Sequence, residues 1–177
     1  MKHKKKITKF GHMLLLKEYE SLQKDLQKSK LQIQQAKEHG DFSENAELDS
    51  ARNDFNIQSA RLVELENELA NAEVVEPTSS AMFEVGSLVR LERFQNNAFV
   101  PMDGIYLLDS KQAPYVIDTE SPLGKQILGN LQGIFSVQTE YSDEPVTFRV
   151  TKSTSEADID TYMKQLAAFT APFNEVV

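Results

Sequence analysis

Two carboxylates three residues apart, Asp41 and Glu44, stand in the stretch KEHGDFSENAEL (37–48), beside His39, Gly40 and Phe42. At a helix start this spacing serves either of two chemistries. In the first, Asp41 caps the helix and Glu44 reaches back, a variant of the capping box that satisfies otherwise unpaired amides. His39 and Gly40 then end the preceding helix, a cation at its negative end followed by a residue free to adopt left-handed geometry. In the second, the two carboxylates converge on one point and supply part of a magnesium site. Magnesium commonly takes only one or two protein carboxylates, with water and phosphate oxygens completing its shell. Such a site is incomplete by itself. A partner has to bring a metal and a phosphodiester, as in two-metal phosphoryl chemistry. Alone, the pair would bind magnesium weakly and catalyse nothing. Zinc is poorly served by one histidine and two acids on a turn. Phe42 is either a packing element or an exposed wedge for a partner.

The flanking elements have to carry this turn. From Leu15 the apolar or small positions run Leu15, Tyr19, Leu22, Leu26, Ser29, Ile33, Ala36, in alternating steps of four and three. After the turn the same alternation runs Leu48, Ala51, Phe55, Gln58, Leu62, Leu65, Leu69, Ala72. Each is a coiled-coil seam. If the chain folds back at residue 42, facing positions sum to 84 in seven consecutive pairs, from Ala36 with Leu48 to Leu15 with Leu69. The expectation is an antiparallel coiled-coil hairpin over 13–75 with its acidic tip at 38–47. A paired part of about 26 residues reaches roughly 40 Å. Because a hairpin buries only one stripe of each helix, it projects, and its turn is the part placed to enter something else.

Charge is distributed unevenly along the 177 residues. Residues 1–39 hold ten Lys/Arg and four Asp/Glu, a balance of +6, and the remainder nine and twenty-three, a balance of −14. The total of −8 argues against a general nucleic-acid binder, whereas a basic segment beside an acidic turn suits a partner with both polyanion and cation features. The plainer alternative is a pair of solvated helix faces. With no cysteine, disulfides and thiolate zinc sites are excluded. The longest apolar run near the N-terminus, 13–16, is too short for a signal peptide or a membrane span, so a soluble cytoplasmic protein without membrane association is expected.

Beyond residue 75 the periodicity changes. EPTSSAMFE (76–84) reads as a linker. Short runs at 87–94, 105–108, 115–118, 134–139 and 146–151 are rich in β-branched and aromatic residues and read as strands. YSDEP (141–145) suits the turn between the last two. In SPLGKQILG (121–129), Ser121 is an N-cap, Pro122 occupies the first helical position and Gly129 follows the last turn, a short-helix signature. The fold class is therefore α+β: a helical hairpin followed over 84–152 by a small β-sheet domain with one short helix. In the tail, 153–177, Ser155, Asp158, Ile159, Tyr162, Met163, Leu166 and Phe169 predict a short amphipathic helix ending before Pro172 and docked on the β domain. The N-terminal MKHKKK is expected to lack fixed structure.

These residues resemble the Gre-type transcript cleavage factors of bacterial RNA polymerase. The similarity is specific at EHGDFSENAEL (38–48), continues through Ala51, Arg52 and ARLVELENELANAEVVE (60–76), and returns at SPLGKQILG, covering roughly residues 14–152. It implies a non-enzymatic, monomeric accessory factor with no cofactor of its own. Its coiled coil would enter the polymerase's secondary channel, and a C-terminal domain of FKBP-like fold, whose motif Ser121 and Pro122 carry, would dock at the entrance; as the start of a short helix the two residues need no further role. Asp41 and Glu44 would then help polymerase hold its second magnesium and position water for cleavage of the extruded RNA 3′ end in a backtracked complex. Lys37 and Arg52 match basic positions that would steer that end. Phe42, Asn45 and Glu47 belong to the same contact motif. Phe42 stands where an aliphatic residue is usual, Leu48 where a tyrosine is, and Asn130 and Ile134 depart from the Lys and Asp common after the second motif. The implied alternatives are a channel-binding regulator that does not stimulate cleavage, and a coiled-coil scaffold unrelated to polymerase.

Overall fold

In a computed structural model of the chain, described for residues 4–38, 46–76, 80–139 and 142–174, the fold is α+β, with helices towards the N-terminus and a β-sheet domain after them. Two compact units divide it: His12–Ala72, and Lys5–Gly11 together with Glu73–Val177. The first unit is built from α1 (Lys9–Glu38), apart from its first turn, and α2 (Ala46–Asn71). Burial follows the alternation of the sequence. Leu15, Ser29, Leu48, Ala51 and Leu65 are buried, and Leu22, Leu26, Ile33, Phe55, Gln58, Leu62 and Leu69 half-buried. Polar side chains also cross between the helices: Ser29 Oγ donates to Gln58 Oε1 at 2.8 Å, Tyr19 Oη to Glu66 at 3.2 Å, and Arg61 Nη2 to Glu18 at 2.7 Å. The helices run antiparallel in these contacts, since the later residues of α1 meet the earlier ones of α2. Arg61 also reaches Glu64 and Glu68. Its hydrogen bond to Glu18, ahead of the other contacts, holds the guanidinium more firmly protonated than usual.

The second unit contains β1 (Lys5–Thr8) paired with β2 (Ala72–Val75, apart from Ala72 itself), and a sheet of β3 (Leu88–Gln95), β4 (Ala98–Pro101), β5 (Tyr106–Asp109), β6 (Val116–Asp118), β7 (Gly133–Thr139) and β8 (Ser142–Ser153). Its order is β6-β5-β3-β8-β7, with β4 also on β3; β5 and β6 are parallel and the other pairs antiparallel. Val89, Leu91, Leu108, Ile117 and Val150 pack with Phe83 and with Ile127 of the short helix α3 (Pro122–Ile127). A second cluster joins Ile105 and Leu107 to Tyr162 of α4 (Glu156–Asn174), with Phe10, Leu88, Val116 and Leu166 against it.

Several expectations are corrected here. Lys5 and Lys6 are strand residues, because Ile7 and Thr8 beside them are buried and fix the segment. Phe83 is no linker residue: it is fully buried, its amide donates to the Asn130 carbonyl at 2.8 Å, and its carbonyl accepts from Gly129 N. Residues 80–82 are held by Lys152, whose ammonium donates to the carbonyls of Ser80 and Met82. Strand β8 begins at Ser142, inside the segment expected to turn. α4 runs for 19 residues, past Pro172. A proline so near the helix end removes only one intrahelical bond. Packing holds α4 in place. Asp158, buried, accepts from Arg90 and Ser153, and these bonds, Arg90 first, hold its carboxyl down at about 2. Gln165 bonds both the amide and the carbonyl of Ile105, at 3.0 and 3.2 Å.

One buried node lay beyond sequence reading. Thr8 Oγ1 accepts from Gly11 N at 3.0 Å and so caps the first turn of α1. Asp109, at the end of β5 and with no exposed surface, accepts from that hydroxyl, from Thr8 N at 3.1 Å and from Ser110 N at 2.7 Å. Gly11 is required at this approach, because a β-carbon there would overlap the Asp109 carboxylate.

Candidate functional site

Lys37 lies in the last turn of α1 and is exposed, a cation at the negative helix end. Arg52 lies early in α2, half-exposed, with Asp49 one turn before it at 3.7 Å. Exposed-pair energetics make that contact weak. The Arg52 guanidinium is therefore available to a stronger anion. Glu47 belongs to the first turn of α2. Asp41, Phe42, Glu44 and Asn45, with His39 and Gly40, lie outside the described residues, between the end of α1 at Glu38 and the start of α2 at Ala46. The acidic pair therefore connects two helices that contact one another antiparallel. Among the described residues, no group of three or more His, Asp or Glu side chains is placed to hold a metal ion. Two carboxylates fit a shared magnesium only as a minority of its ligands.

In the second unit the SPLGKQILG motif folds as its residues dictate. Ser121 Oγ accepts from Gly124 N at 3.1 Å and donates to the Asp118 carbonyl at 2.6 Å, so one hydroxyl caps α3 and ties it to β6. Pro122 fills the first helical position, where no amide partner is needed. Gly124 packs on the Asp118 carbonyl too closely for any side chain, and Gly129 takes a left-handed φ of 78° after the helix. An open cleft of about 610 Å³ adjoins this helix start, lined by Leu91, Tyr106, Gln112, Asp118, Ser121 and Leu123 among others. No helix among the described residues is long and apolar enough to cross a membrane.

Known proteins are similar to this chain over much of its length. The N-terminal family of GreA/GreB transcription elongation factors matches residues 5–74. The transcription elongation factor GreA of a Nitratiruptor species is 32% identical over 135 residues, spanning 75% of this chain and 83% of that protein. GreA of Mycoplasmopsis pulmonis is 35% identical over 103 residues, 58% of this chain and 66% of the relative. Among solved structures, GreA factor homolog 1 (Gfh1) of Thermus thermophilus is similar at 26% identity and a TM-score of 0.42, covering 84% of this chain and 97% of that one. The chain belongs to the GreA/GreB family of transcription elongation factors and is an accessory factor rather than an enzyme in its own right.

Proposed function

We propose that this factor binds bacterial RNA polymerase and stimulates the polymerase's own cleavage of RNA in backtracked, arrested complexes. The observation that carries the proposal is the position of Asp41 and Glu44, on the segment joining two antiparallel helices within the family-matching part of the chain. The helices act as a coiled-coil hairpin that enters the secondary channel. The C-terminal domain, FKBP-like in this reading, docks at the channel entrance through the surface around Ser121 and Pro122. Lys37 and Arg52 attract the phosphates of the extruded RNA 3′ end. Phe42, Asn45 and Glu47 contact polymerase or that RNA end. Asp41 and Glu44 place negative charge where polymerase holds its catalytic metals, and orient water towards the scissile phosphodiester. A second magnesium, when bound there, supplies Lewis-acid stabilisation of the oxygens of in-line displacement. The factor acts as a monomer, with no metal held outside the complex, and in the cytoplasm.

The test is cleavage of 3′-labelled RNA in a purified backtracked complex with and without the factor. Faster cleavage with the factor is the expected result. Binding to polymerase without faster cleavage would identify a channel-occupying regulator instead, and no binding at all would identify a scaffold.

A further inference from the structure

Two hydroxyls are buried in the second unit without a protein partner. Tyr162 of α4 and Ser110, which follows β5, are 5% and 9% exposed, and neither Tyr162 Oη nor Ser110 Oγ has a hydrogen-bond partner among the described residues. A buried hydroxyl left in that state costs free energy, and native proteins almost always satisfy it. The neighbouring groups identify the partner. Leu107 and Asp109 lie on one face of β5 by strand alternation, and Tyr162 packs in the cluster of Leu107 and Ile105, with Phe10 against it. Phe10 precedes Gly11, whose approach to the Asp109 carboxylate leaves no room for a β-carbon. Tyr162 and Asp109 thus share their neighbours. Burial first, and the Asp109 charge second, push the Tyr162 phenol up. Ser110 adjoins the same carboxylate, since its amide donates back to Asp109 Oδ1 at 2.7 Å.

The carboxylate has capacity for one more donor. Thr8 N and Ser110 N occupy Asp109 Oδ1 and the Thr8 hydroxyl occupies Oδ2, out of about four lone-pair sites. An anion would be repelled by the carboxylate, and a cation would meet the amide and hydroxyl hydrogens that already point at it. Water both donates and accepts, so it suits the phenol and the carboxylate together.

We infer that one ordered water accepts from Tyr162 Oη, donates to Asp109 Oδ2 and takes Ser110 Oγ as its third partner, tying the tail helix α4 to the segment that starts α1. Thr8 Oγ1 donates to Asp109 and caps the first turn of α1 through Gly11 N at 3.0 Å, so the polar chain runs unbroken from α4 to that turn. All its members belong to the second unit. α4 follows the stretch that carries the family resemblance, and the tie gives it a task of its own: holding the N-terminal segment in place. The tie does not rest on the function proposed above.

The full-length variants Tyr162→Phe, Ser110→Ala and their combination test the tie, by denaturant unfolding and by hydrogen exchange at the Thr8 and Gly11 amides. Tyr162→Phe is expected to lower the folding constant about fivefold, as loss of one ordinary hydrogen bond implies, and to speed exchange at both amides. A phenol with no partner predicts the opposite sign. Phenylalanine would then remove a desolvated hydroxyl and stabilise the unit. An unchanged or raised folding constant in Tyr162→Phe therefore overturns the inference. The double variant separates a shared water from a direct bond between Tyr162 and Asp109. With a shared water, the two substitutions together cost less than their separate effects combined, by roughly threefold in the folding constant. Independent effects mean a direct bond and overturn the water. A crystal structure of the wild type decides the same point by observation: a water within about 3 Å of Tyr162 Oη, Ser110 Oγ and Asp109 Oδ2 is expected, and a phenol in direct contact with the carboxylate, or with neither, overturns it.

Discussion

Replacing Asp41 by Asn and Glu44 by Gln together lowers factor-dependent RNA cleavage by on the order of 10²-fold, the size of effect seen when one electrostatic contributor is removed from a preorganised site. Both amides keep a carbonyl oxygen that can accept from helix-start amides, so capping survives in large part. What they lose is the negative charge that a divalent cation needs. Circular dichroism and polymerase affinity of the variant should therefore stay close to wild type, and the loss should fall on the cleavage rate. If instead the folded, bound variant cleaves within about threefold of wild type, Asp41 and Glu44 do not supply transition-state stabilisation, and the capping chemistry accounts for them.

The second large effect is structural. Asp109→Ala should destabilise the β-sheet unit by about 3 kcal/mol, because it leaves the Thr8 amide and hydroxyl and the Ser110 amide as buried donors facing an empty volume. Asp109→Asn keeps one acceptor and costs less, about 1 kcal/mol. Burial pushes the Asp109 carboxyl above the ordinary carboxylate range, against the pull of the Thr8, Ser110 and Gly11 donors. The folded state thus holds its proton at higher pH than the unfolded state. This group's contribution is greatest below the unfolded value, falls as pH rises towards the folded value, and is constant above it. Asp109→Asn should remove that part of the pH dependence. Denaturant unfolding followed by near-ultraviolet circular dichroism of tyrosine measures both effects, since Tyr106, Tyr115 and Tyr162 lie in this unit and Tyr19 in the other. A loss below about 1 kcal/mol for Asp109→Ala would mean that water replaces the carboxylate.

The helices and α3 were legible because their signals are local and repeated. The seam of α1 and α2 recurs every three or four residues, and every seam position whose side chain is described is at least half-buried. Ser121, Pro122 and Gly129 each carry a separate backbone constraint, and the three agree on one short helix. The missed elements lack such redundancy. In KKIT only two residues turn inward, so β1 reads as part of a basic run. Strand β4 is four residues long and ends in proline, yet Asn96 and Asn97, at φ 52° and 60°, form the two-residue hairpin turn that could have revealed it. Asp109 looks like any acid after an apolar run; its burial depends on Thr8, 101 residues away. The length of α4 likewise follows from Arg90 and Ile105, which no helical periodicity encodes. Among the site residues, Lys37, Ser121 and Pro122 fall at helix ends as their types suggest, whereas the roles of Asp41 and Glu44 depend on a partner.

The most direct test of that dependence is the magnesium requirement of RNA cleavage in a backtracked complex, titrated with no factor, with wild type and with the Asp41→Asn, Glu44→Gln variant. The account predicts that wild type both raises the rate and lowers the magnesium concentration for half-maximal cleavage, and that the variant returns both to the factor-free values. Acceleration by wild type and variant alike, with the same magnesium requirement as polymerase alone, would contradict it.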